Sequence, residues 1–114
     1  MNDISFMLNY LTKRPRAEAI EELARQCQAC GVYILDTNML SNLSMMLKLE
    51  GQASEILSFA QSIQKGSFAI DMSSREVLTS LLQAPLGTRA MGTLQVSFTG
   101  EDGELRHELP RVPG

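Results

Sequence analysis

Apolar and polar residues alternate from Ile4 to Leu11, with Ile4, Phe6, Leu8 and Tyr10 on one side and Ser5, Met7 and Asn9 on the other. That period of two predicts a strand with one buried face. Thr12-Lys13-Arg14-Pro15 interrupts the alternation, and the proline suits the first turn of a helix. From Arg16 to Cys30 the apolar positions Ala17, Ile20, Leu23, Ala24, Cys27 and Cys30 form one helical stripe, with Glu18, Glu21, Glu22, Arg25 and Gln28 outside it. Cys30-Gly31 is a helix stop, because glycine enters the left-handed cap without a Cβ clash. Val32 to Leu40 and Ser44 to Glu50 then read as two strands around a Ser41-Asn42 turn.

Gly51 releases the chain into a second helix, Gln52 to Lys65, whose stripe is Ala53, Ile56, Leu57, Ala60 and Ile63. Phe68, Ile70 and Met72 alternate with Ala69 and Asp71 as a fourth strand. The order β-α-β-β-α-β, complete by residue 72, predicts an α+β ferredoxin-like sandwich: a four-stranded antiparallel sheet with two helices on one face. Residues 73–114 then form an extension of the 1–72 core, packed on the same domain. Ser73-Ser74-Arg75-Glu76 reads as a capping box before Val77, Leu78, Leu81 and Leu82. Leu94, Val96 and Phe98, a Gly100-Glu101-Asp102-Gly103 turn, and Leu105, His107 and Leu109 predict a hairpin.

Composition narrows the function more than the fold. A chain of 114 residues with 44% hydrophobic and 20% charged residues fits one globular domain. The net charge of −3 gives no field that favours nucleic acid. No apolar run approaches the length needed to span a bilayer. An acid precedes the first apolar run and no small-residue cleavage pattern follows it, so a cytoplasmic location is expected. Cys27-Gln-Ala-Cys30 has the redox spacing but falls in the last turn of its helix, where the dipole opposes a thiolate. Only His107 is left to complete a zinc set, so a packing role for both cysteines is expected, with no metal and no cofactor.

GVYILDTNML followed by SMMLKLEG resembles the second and third strands of ACT domains, especially those of the glycine cleavage system transcriptional repressor type. There a helix ends in Cys-Gly before such a strand. Thr12-Lys13-Arg14-Pro15 is similar to the family's first loop, and the likeness covers about residues 4–72. It implies a regulatory module that binds an amino acid at a dimer interface, through the loop before the first helix and the start of the second strand. By that resemblance the ligand-binding residues are Thr12, Lys13, Arg14, Arg16, Tyr33, Asp36 and Asn38. The chain differs from the family where Arg16 replaces a loop glycine, Tyr33 an asparagine, and Lys13 an acid or amide.

Lys13, Arg14 and Arg16 crowd a helix N-terminus, where unpaired N–H groups and added cations suit an anion, such as a carboxylate or phosphate, or a partner's acidic side chain. The other reading is three solvated side chains with glutamates nearby. Asp36 and Asn38 either serve an interface or mark the polar side of a hairpin. His107, with neither nucleophile nor paired carboxylate spaced to it, reads as a packing or hydrogen-bonding residue. Met39, Met45, Met46 and Met72 read as adaptable core or interface filler. With no phosphate loop or nucleophile elbow in the chain, the expectation is a non-enzymatic regulatory or protein-interaction domain. It forms a homodimer by pairing exposed sheet edges, with a small anionic or amino-acid ligand and no nucleic acid or membrane partner. The alternative is a structural or assembly protein that binds a protein partner without a small ligand.

Overall fold

The computed structural model describes residues 3–99, an α+β arrangement of five strands and three helices. β1 spans Asp3–Thr12, α1 Arg16–Cys30, β2 Tyr33–Ser41, β3 Ser44–Gln52, α2 Ala53–Gln64, β4 Phe68–Ile70, α3 Met72–Gln83 and β5 Arg89–Phe98. The sheet order is β2-β3-β5-β1-β4. β5 runs parallel to β1 and antiparallel to β3, and the other two pairings are antiparallel.

The predicted four-stranded antiparallel sheet is therefore corrected to a five-stranded mixed one. Residues after 72 do not sit beside a finished core: they supply its central strand. β5 is fully laddered on both sides, to β1 across ten residue pairs and to β3 across nine. Neither of its edges is free for the expected hairpin, and the return strand Leu105–Leu109, with His107, lies outside the described residues.

One apolar core lies between the sheet and the helices. Phe6, Leu8 and Tyr10 of β1, Met45, Leu47 and Leu49 of β3, and Leu94, Val96 and Phe98 of β5 point into it. α2 crosses the middle of that face, packing against both α1 and α3 and burying Ile56, Phe59, Ala60 and Ile63. α1 begins and ends where the pattern placed it, and Gly31 closes it at φ 81° with Val32 N–H donating to the Cys27 carbonyl. Its buried stripe is Ala19, Leu23 and Cys27, however, while Ala17, Ile20 and Ala24 face outward. The helix carries two apolar strips, and the sheet takes the one that α2 also covers.

α3 has a second task. β4 pairs with only the last three residues of β1, so the edge of β1 below them needs other partners. The buried hydroxyl of Ser74 accepts from Asn9 N–H at 2.7 Å, and Asp71 N–H donates to the Asn9 carbonyl at 3.2 Å. The helix cap is Asp71, not the expected Ser73 box: its carboxylate accepts from Ser74 N–H at 2.9 Å. That bond, with those from the Ser74 and Ser73 side chains, holds the Asp71 carboxyl below the ordinary carboxylate range. One sheet edge is thus short and buttressed, whereas β2 at the other edge is exposed along all nine residues.

Candidate functional site

The loop Thr12–Pro15 leaves β1 at the same end of the sheet as the β2–β3 turn, because β1 and β2 run in the same direction. Pro15 precedes α1 with φ −58° and ψ 147°, and no side chain caps the helix. Thr12 is buried and structurally committed: its Oγ1 accepts from Arg14 N–H at 3.1 Å, and its carbonyl accepts from Thr99 N–H at 2.9 Å.

The three cations do not act as one cluster. Arg14 turns along α1, its Nε 3.9 Å from Glu18 Oε1 and its Nη1 3.8 Å from Glu22 Oε1. Glu22 also accepts from Gln26 and pairs with Arg25; these partners, the Gln26 bond foremost, hold its carboxyl low. Arg16 points to the hairpin, where its Nη1 lies 3.5 Å from Asn42 Oδ1. Lys13 and Arg14 instead rim a cavity of about 490 Å³ walled by Leu11, Ser67, Ala69 and Thr99.

Tyr33, Asp36 and Asn38 share the face of β2 that points away from the helices, since their partners are Glu50, Lys48 and Met46. Asp36 is spent locally, accepting from Thr37 N–H at 2.9 Å and from Asn38 Nδ2 at 3.3 Å. The ladder fixes how far these residues lie from the loop. Tyr33 is level with Glu50, then Met91, then Ser5, seven residues before Thr12. At about 3.3 Å per residue that is roughly 23 Å along the sheet, with about 14 Å more across three strand spacings. The structure brings Arg16 to Asn42 but leaves Tyr33 at the opposite end of the sheet.

Sequence reasoning missed the surface beside Tyr33. Ile34, Leu35, Met39, Leu40 and Leu43 are between 38% and 49% exposed on β2 and its turn, and Ile20 of α1 is exposed beside them. A groove of about 410 Å³ runs between the end of α1 and the start of β2, lined by Ala24, Cys27, Gln28, Gly31, Val32, Tyr33 and Ile34. Ala17, Ile20 and Ala24, at helical spacing, are its signal in the sequence, although spacing alone does not say which strip meets the sheet.

Both cysteines sit in the last turn of α1 without a disulfide. Burial, with a smaller contribution from Cys30, pushes the Cys27 thiol up to about 12 from an ordinary value near 9. Folding keeps that thiol protonated, so its contribution to stability is complete below about pH 9 and is lost as the pH rises toward about 12. Alkylation of the native protein at pH 8 is therefore expected to label the half-buried Cys30 and spare Cys27 until urea unfolds the chain, as read by peptide mass. Equal labelling of both would contradict the packing role.

Among the described residues no three His, Cys, Asp or Glu side chains converge as metal ligands, and no helix is long and apolar enough to cross a membrane. The fold and site together define an α+β domain with an exposed edge strand and a basic loop at one end of its sheet. Comparison of the chain with protein-family models, curated proteins and solved structures finds no match.

Proposed function

We propose that this chain is a non-catalytic, ACT-like regulatory domain that works as a homodimer joined edge to edge through β2. The observation that carries the reading is β2 itself, nine exposed residues long and bordered by the outward apolar strip of α1. Without β5 the strand order would be β2-β3-β1-β4 around the same two crossing helices, which is the split βαβ pattern of ferredoxin-like domains. β5 is then an insertion at the centre of that sheet.

A two-fold axis near Thr37 pairs β2 with its copy in antiparallel fashion. Asp36 then faces Asn38 of the partner subunit, so like charges do not meet. The same symmetry sets Tyr33 of the partner subunit against Ser41, next to Asn42 and Arg16. Residues separated by the length of the sheet in one subunit thereby become neighbours across the interface. In this reading Arg16 supplies charge to a small anionic ligand such as an amino-acid carboxylate, and the partner's Tyr33 supplies an aromatic wall and a hydroxyl. The ligand signals by stabilising one arrangement of the two subunits over another.

A thermal-shift series of amino acids and small carboxylates tests the ligand. One member at a hundredfold excess over its Kd adds about 2.7 kcal/mol to stability, several degrees in Tm for a domain of this size. Arg16→Ala is expected to abolish that shift without changing the Tm of the free protein. A panel with no stabilising member contradicts sensing. The apolar residues of the β2 turn would then favour the second reading, an assembly domain that binds protein alone.

A further inference from the structure

The cavity at Lys13 and Arg14 faces away from the β2 interface and is a separate feature. Its floor is Leu11 and Ala69, paired across β1 and β4, and its far wall is Thr99, where the described chain ends. Thr99 is fastened there by two bonds to the Thr12 carbonyl, from its N–H at 2.9 Å and its Oγ1 at 3.3 Å. The described chain therefore ends in the wall of the cavity, with residues 100–114 still to follow in the sequence. Their first five residues, Gly-Glu-Asp-Gly-Glu, carry three carboxylates, two between the glycines and one after them, and Leu105 follows. β5 has no free edge for that segment to join.

We infer that the chain's own C-terminal segment docks in this cavity, with Glu101, Asp102 and Glu104 against Lys13 and Arg14 and Leu105 over Leu11 and Ala69. The chemistry is complementary in both parts. An apolar floor suits a leucine, and the cationic rim suits the only run in the sequence with three acids in four residues. Arg14 keeps its long contacts to Glu18 and Glu22, while Lys13 has no salt-bridge partner among the described residues. Exposed ion pairs are individually weak. A link of two to five residues compensates, because it holds the acids at an effective concentration in the millimolar range. The contact is accordingly sensitive to salt. The inference does not rest on the ligand proposed at the subunit interface, and its test uses none.

Amide NMR of the full chain tests it. In the wild type at low salt, residues 101–105 are expected to show heteronuclear NOE values close to those of β5. The triple variant Glu101→Lys/Asp102→Lys/Glu104→Lys lowers those values to the random-coil range and shifts the amides of Leu11–Arg14 and Ser67–Ala69. Adding Lys13→Glu and Arg14→Glu to that variant reverses both effects, and half-molar salt reproduces the first in the wild type. Random-coil values for 101–105 in the wild type would overturn the inference. So would amide shifts that vary with protein concentration, since the acids would then be binding a second molecule.

Discussion

Replacing Gly92 by valine is expected to leave no folded protein, and replacement by alanine to cost at least about 3 kcal/mol. Gly92 sits in the middle of β5, directly opposite Phe6 of the parallel neighbour β1. A Cβ built there would strike the Phe6 carbonyl oxygen and lie 2.6 Å from Cγ of its ring. A flexible side chain moves aside at small cost, but a carbonyl belongs to the β1–β5 ladder and moves only if the two central strands separate. The loss is a large share of the ~5–15 kcal/mol available to such a domain. The position needs glycine for space rather than for its backbone angles. Gly87 gives the contrast: its φ is +85° but open space surrounds it, so Gly87→Ala is expected to cost only about 1 kcal/mol. Urea titrations of the two alanine variants compare them, and equal midpoints would contradict the close approach of β1 and β5.

The second large effect concerns association and not folding. Thr37 lies at the centre of β2, and its N–H donates to Asp36 Oδ1 on the exposed edge. Proline there removes an outward donor and places a ring where a paired strand would lie, yet edge strands accept proline. Thr37→Pro is expected to weaken dimerisation at least about a hundredfold, about 3 kcal/mol, while the far-ultraviolet spectrum stays that of the wild type. Leu35→Lys/Met39→Lys tests the same surface without touching the backbone, by adding two like-charged groups to the interface. Sedimentation equilibrium reads both variants. Wild-type affinity in both would remove β2 from the interface.

Most elements were legible in the sequence because each rests on local chemistry, although β4 stops at Ile70 and Met72, expected in that strand, opens α3. α1 runs from Arg16 to Cys30 as its period and Gly31 require, and the β2–β3 hairpin differs by a turn displaced to Asn42-Leu43 and a second strand that continues through Gly51 to Gln52. The neighbours of β5 were not legible. Alternation in Leu94, Val96 and Phe98 reports that one face is buried, and says nothing about which strands flank it. Gly92 carried a hint, since a glycine inside a strand often marks a close backbone approach, but with Ala90 it also dilutes the pattern and hides the first half of β5. The order of strands and helices up to residue 72 alone led to an open four-stranded sheet.

The candidate site was legible in part for a similar reason. Arg14 stands four and eight residues before Glu18 and Glu22, a spacing that predicts the turn of its side chain along α1. Arg16 reaches Asn42 through the tertiary fold, which no local spacing encodes. The separation of Tyr33 from Thr12 follows from strand direction: a helix crossover returns the chain to the starting end of β1, so the first residue of β2 lies far from the last of β1.

Light scattering on the full chain as it elutes from a sizing column tests the central claim most directly. The wild type is expected at twice the chain mass of 12.6 kDa, and Thr37→Pro at the single value. A wild-type mass of 12.6 kDa at high micromolar concentration would contradict the edge-to-edge dimer and the interfacial site built on it.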